Sequence, residues 1–136
     1  MQRISAQVIL VARVLVAMVF VMNAIGVIDQ GIPAKEMMKR GVPVAIVPWF
    51  MLAGRTLEFV AGFALMLGIF PRAAALALLA FLIPATLVSH SFWLSVGTPA
   101  FMGQLINFWK NIAICGGLLF IGATTSQPIL NRYKRR

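Results

Sequence analysis

The chain has 136 residues, 61% of them hydrophobic and 11% charged, with twelve Lys and Arg against three acids and a formal net charge of +9. Soluble domains carry roughly 25% charged residues, so this composition excludes an ordinary soluble domain and describes a membrane chain. Nucleic acid is excluded as a partner by the distribution of charge: the basic residues lie singly in apolar runs or together in Arg132-Tyr133-Lys134-Arg135-Arg136, where anionic lipid head groups are the natural counter-charge.

Residues 6–28 form the first expected span, long enough for a hydrocarbon layer of ~30 Å, with Arg13, Ala17 and Phe20 near one face. Arg3 before an apolar run resembles a signal peptide, but Arg13 interrupts the run and Met22-Asn23-Ala24 is a poor cleavage site, so the segment reads as a retained helix. Between Asp29 and Pro43, the breakers Gly31, Pro33, Gly41 and Pro43 surround Lys35-Glu36-Met37-Met38-Lys39-Arg40 and allow at most a short interfacial helix. The second span, about 46–69, ends at Gly68-Ile69-Phe70-Pro71-Arg72, which leaves room only for a tight reversal; spans two and three are therefore antiparallel neighbours.

The third span, about 73–94, opens with the small residues Ala73, Ala77 and Ala80, carries Pro84 as a candidate kink, and has Thr86 and His90 four apart at its far end. After the uncharged turn Ser95-Val96-Gly97-Thr98-Pro99, the fourth span, about 104–124, begins with Gln104, Asn107, Lys110 and Asn111 on a face that continues to Cys115. Ala113 and Gly117 add a small-residue contact, and Gln127-Pro128 closes the span. The reading is one all-α domain over residues 1–136, a four-transmembrane-helix bundle. Trp49, Trp93 and Trp109 fall at the three span ends that this topology puts on one side, as expected of interfacial tryptophans. Arg3, Arg72, Arg132, Lys134, Arg135 and Arg136 lie on the other side, against Lys35, Lys39 and Arg40, so both termini are expected to be cytoplasmic.

The stretch with most chemistry is Leu52-Ala53-Gly54-Arg55-Thr56-Leu57-Glu58-Phe59-Val60-Ala61-Gly62, which places an acid and a base where hydrocarbon is expected. Arg55 and Glu58 share a helical face, and Gly54 and Gly62 flank the acid at a spacing of four, letting a neighbouring helix enclose it. A rise of ~1.5 Å per residue sets Glu58 near mid-membrane, Arg13 about one turn to the cytoplasmic side and Arg55 about one turn to the outer side. His90, Lys110 and Asn111 lie further out. Isolated ionised groups there cost ~2.5–3.5 kcal/mol each, so shared burial is favoured. Arg13, Arg55 and Lys110 all compete for Glu58, and a net-positive cavity would take an anion or an electron-rich carbonyl. The plainer readings are an ion pair that fixes helix register, a solvated end residue for His90 and a small core residue for Cys115. One His and one Cys supply neither a metal-ligand set nor a disulfide within the chain.

These residues resemble the DoxX family of small four-helix bacterial membrane proteins. The resemblance covers nearly the whole chain and rests on Arg13 and Phe20, Glu58-x-x-x-Gly62 leading into Leu65-x-Leu67-Gly68 and Pro71-Arg72, His90-x-Phe92-Trp93, and Lys110-Asn111-x-Ala113-x-x-Gly116-Gly117. Where family members often carry Gly and Lys after the first-span Phe, this chain has Asn23-Ala24-Ile25-Gly26 and then Asp29. The resemblance implies a multi-pass protein of the bacterial cytoplasmic (inner) membrane, with relatives associated with a thiosulfate:quinone oxidoreductase and with complexes that handle oxidative or sulfur stress. By resemblance, Arg13, Glu58, His90, Lys110 and Asn111 occupy family motif positions; Arg55 and Thr86 are added from helical spacing.

The first functional expectation is a membrane subunit of a quinone-linked oxidoreductase. Glu58 and His90 act as its catalytic groups, and Arg13, Arg55, Lys110 and Asn111 contact a quinone head group or small anion. The alternative is a non-enzymatic scaffold or assembly factor that holds protein partners or further copies of itself; a small transporter is a weaker third. Topology comes first for each of them. In a Cys115→Ala background, a single cysteine at Lys39 or Thr98 is expected to react with an impermeant thiol reagent outside intact cells, and one at Lys134 is not; the reverse pattern overturns the orientation.

Overall fold

The computed structural model describes residues 6–28 and 31–125. Among them are five α-helices and one short 3₁₀ turn: α1 Ala6–Ala24, α2 Gly31–Lys39, α3 Val47–Leu67, α4 Pro71–Ser89, the turn Phe92–Leu94, and α5 Phe101–Thr124. Four segments are long and apolar enough to cross a membrane: α1, α3, α4 with the following turn, and α5. The connection, to which the sequence allows at most a short helix, contains α2, nine residues long and ending at Lys39. The third expected span is divided: helix stops at Ser89, and the rest of the segment is the 3₁₀ turn. Pro84 lies inside α4 without ending it.

Local sequence explains the boundaries. Pro48 starts α3 at a position where a missing N–H costs nothing, and Pro71 does the same for α4. At the other end of α3, Gly68 adopts φ 73°, its N–H meets Leu65 O at 3.2 Å, and Ile69 N–H reaches back to Ala64 O at 2.8 Å. This is a Schellman ending, which needs a residue that tolerates the left-handed region. It allows α3 to reverse into α4 within three residues.

The helices pack in the order α1, α3, α4, α5, with α5 returning to touch α1, while α2 rests on α3 and α4. Packing relies on small residues. Ala17, Ala61, Gly62, Ala74 and Ala75 are buried, and they let Leu65, Leu78 and Leu118 interlock with no exposure at the centre. A Cβ placed on Gly62 would lie 3.0 Å from Val21 Cγ2 on α1, and one on Gly54 would lie 3.0 Å from the Phe81 ring on α4. The two glycines flanking Glu58 thus admit two different neighbours. Most remaining large apolar side chains face outward, toward the lipid a spanning bundle must meet.

Gly68 has a second constraint. Arg13 of α1 lays its guanidinium over it, so that a Cβ on Gly68 would sit 2.6 Å from Nη1. Gly68→Ala is expected to cost about 1–2 kcal/mol, from left-handed backbone and from overlap with the guanidinium. In an Arg13→Ala background the overlap is gone and the cost falls. Thermal unfolding of the four proteins in detergent gives the coupling; equal costs in both backgrounds would show that Arg13 does not rest on Gly68.

Candidate functional site

Glu58 sits in the middle of α3, 4% exposed, on the seam between α1 and α3. Its partner is an amide. Asn23 Nδ2, from the last turn of α1, donates to Oε1 at 2.7 Å and to Oε2 at 2.8 Å, engaging both carboxylate oxygens. No Lys or Arg nitrogen among the described residues lies within ion-pair distance of Glu58; the ion pair found there joins Lys39 and Glu36 on α2 at 2.7 Å. The pairing of Glu58 with Arg13 or Arg55, left open by the sequence, is therefore replaced by Asn23. Continuing the stripe Arg13, Ala17, Phe20 by three residues reaches Asn23, so helical spacing carried a signal for it.

The two arginines occupy opposite ends of the same seam. Arg55, one turn from Glu58, points to the end of α1, where a Cβ on Gly26 (φ 82°) would lie 3.1 Å from Nη2. Arg13 lies at the end of α3, not one turn from Glu58: Gly68 is ten residues beyond the acid, ~15 Å along the helix. The depth estimate failed because it gave α1 and α3 a common level, whereas the bundle sets Asn23, not Arg13, opposite Glu58. Each arginine keeps its buried Nε without an acceptor.

The other expected site residues lie on the seam between α4 and α5. Asn111 Nδ2 donates to Thr86 Oγ1 at 3.0 Å, with Thr86 2% exposed. Beyond the end of α4, His90 Nδ1 pairs with Gln104 Oε1 at 2.9 Å. Lys110 is exposed on α5, next to the exposed Trp109, and joins neither group. Cys115 is buried in the apolar core. The expected constellation is thus three separate sets: Glu58 with Asn23 and Arg55, Thr86 with Asn111, and His90 with Gln104. No side-chain hydrogen bond connects them among the described residues; the His90 backbone N–H meets Thr86 O at 2.9 Å, as the cap of α4.

A polar contact that the sequence did not reveal lies beside His90. Arg40, just after α2, donates from Nη2 to the carbonyls of Leu87 (3.4 Å) and Val88 (3.2 Å) at the end of α4, and to Ser91 Oγ. It came from a segment read only as a connection.

The hydrogen bonds make Asn23 the residue on which Glu58 depends. Asn23→Ala is expected to lower stability in detergent by about 2–3 kcal/mol, since a buried carboxylate then loses both donors. Asn23→Asp should cost more, because two acids then face each other. Arg13→Gln leaves the Glu58 contacts intact, so it should not alter the cost of Asn23→Ala; a strong dependence would return Arg13 to the acid's partners.

A family model described as DoxX matches residues 8–91, from α1 to the end of α4 and beyond to Ser91. The chain is also similar to inner membrane protein YphA of Escherichia coli (strain K12), 25% identical over 117 residues that make up 85% of this chain and 81% of that protein. No solved structure matches it. With four membrane-crossing segments and a family match over more than half its length, the chain belongs to the DoxX family and is a multi-pass inner-membrane protein.

Proposed function

We propose that the chain is the membrane subunit of a redox-linked complex, and that the α1–α3 seam receives a quinone head group or small anion beside Arg55, with Glu58 exchanging a proton. The observation that carries this reading is that an acid and a base share the seam without cancelling each other. A register-fixing ion pair would bring a guanidinium nitrogen onto the carboxylate; here a neutral amide holds Glu58, and Arg55 Nε lacks an acceptor. A quinone carbonyl or an anion is an acceptor of the type Arg55 lacks. Glu58, with no cation fixed to it, is a carboxylate suited to taking up and releasing a proton. Reduction of a quinone to its quinol takes two electrons and two protons. Glu58 passes one of the protons, the second comes from water, and a partner subunit supplies the two electrons.

A second reading, the non-enzymatic scaffold, draws on a different observation: the hydrogen-bonded polar pairs of the bundle join separate elements. Asn23–Glu58 links α1 to α3, Asn111–Thr86 links α5 to α4, and Arg40 links the end of α2 to α4. One experiment separates the two. Wild type, Glu58→Gln and Arg55→Gln are purified in a lipid-retaining detergent and their quinone is extracted and quantified. The redox reading expects close to one quinone per wild-type chain, and loss in both variants while the protein accumulates normally. No quinone in the wild type, with Glu58→Gln lowering only abundance or assembly, leaves the scaffold.

A further inference from the structure

On the side of the bundle that α2 covers, a cleft of about 260 Å³ opens between the end of α2, the end of α4, the 3₁₀ turn and the start of α5. Its lining includes Lys39, Arg40, Ser89, Ser95 and Gln104, with Glu36 beside Lys39 and Leu94 on the rim. None of these belongs to the Glu58 seam. Arg40 is anchored through one nitrogen only: Nη2 holds the α4 carbonyls and Ser91, leaving the N–H groups of Nε and Nη1 for other acceptors. A guanidinium already fixed in this way loses little freedom when it takes an anion. Ser89 and Ser95 line the cleft with hydroxyls that make no hydrogen bond among the described residues. Charge is also in excess. Lys39 is matched by Glu36 at 2.7 Å, which leaves the charge of Arg40 without a carboxylate in the cleft.

We propose that this cleft binds the phosphodiester of a membrane phospholipid from the leaflet next to α2. One excess positive charge faces one phosphodiester charge, and the free N–H and O–H donors match its oxygens. The depth is right for a head group: Trp93 and Trp109, 45% and 58% exposed, mark the interface beside the cleft. Leu94, 68% exposed on the rim, offers an apolar edge to the glycerol and the first acyl carbons. A single charge open to water and screened over ~8–10 Å holds a free ion weakly. A lipid, by contrast, is already confined to this surface at high local concentration. The phospholipid is therefore the occupant.

Native mass spectrometry of the full chain, titrated with phosphatidylglycerol in detergent, tests the assignment. Wild type is expected to retain one lipid adduct; Arg40→Gln should weaken that adduct roughly tenfold, as expected for loss of a hydrogen bond to a charged group. The double variant Ser89→Ala with Ser95→Ala, which spares the hold of Arg40 on α4, should weaken it several-fold. It carries the test if Arg40→Gln fails to fold. Arg72→Gln, an exposed arginine at the opposite end of α4, should bind as wild type does, and every variant keeps the same basic tail as an internal constant. Equal retention by wild type and the double-serine variant overturns the proposal. Displacement of the adduct by millimolar inorganic phosphate overturns it too, by making the cleft a free-ion site.

Discussion

The fold depends on what happens to the carbonyl ends of helices that stop inside or at the edge of a medium unable to hydrogen-bond them. The last four carbonyls of each helix lack internal partners, and together they carry about half a negative charge. In this bundle an arginine from another element comes to the end of three helices. Arg55 of α3 lies against Gly26 just past α1, Arg13 of α1 lies against Gly68 at the end of α3, and Arg40 donates directly to the last carbonyls of α4. The first two form an exchange: antiparallel neighbours each send a cation to the other's C-terminus. Such placements contribute about 0.3–1 kcal/mol each, up to ~2 when partly buried. An arginine at the centre of a span costs ~2.5–3.5 kcal/mol, so a neighbouring helix C-terminus offsets part of that cost.

Glu58 is the charge that this scheme does not absorb. It lies midway along α3, beside the last turn of α1, and its environment is made by three small adjustments. Gly62 lets α1 come close, Gly54 makes room for the Phe81 ring from α4, and Asn23 reaches down from the end of α1 to both carboxylate oxygens. The glycine spacing that drew attention to the acid in the sequence thus serves two neighbours. The pattern is consistent with a helix that presents one stripe to the gap between α1 and α4.

Much of this was legible in the sequence, for identifiable reasons. The spans follow from apolar length, the α3–α4 reversal from Gly68 and Pro71, and the burial of Glu58 from its flanking glycines. Thr86 and Asn111 each stand out as polar residues of their spans, and the structure adds that they meet. What the sequence did not show was depth. Counting residues from each span's start gives every helix a common origin, but Asn23 meets Glu58 and Arg13 meets Gly68, so the α1 register is shifted against that origin by about two turns. That shift exchanges a cation for an amide as the partner of the acid. Arg40 was hidden for another reason: it follows a short helix whose docking on α4 is tertiary and leaves no periodic mark in the chain.

Separation of the polar residues into sets changes what each can do. Thr86 with Asn111 is a neutral, part-buried pair that joins α4 to α5. His90 is tied to Gln104 at the edge of the bundle, beyond the end of α4. Arg13 and Arg40 lie at the ends of α3 and α4, away from the acid. Glu58 is the acid that α3 carries, it is buried away from any fixed cation among the described residues, and Arg55 stands one turn away with donor capacity left. A ligand that used the whole row from Glu58 to His90 would have to cross the α3–α4 contact where Phe81 fills the space over Gly54. In the proposed redox role, the α1–α3 seam with Glu58 and Arg55 is the part suited to handling a proton, and the Thr86–Asn111 and His90–Gln104 contacts belong to a different seam.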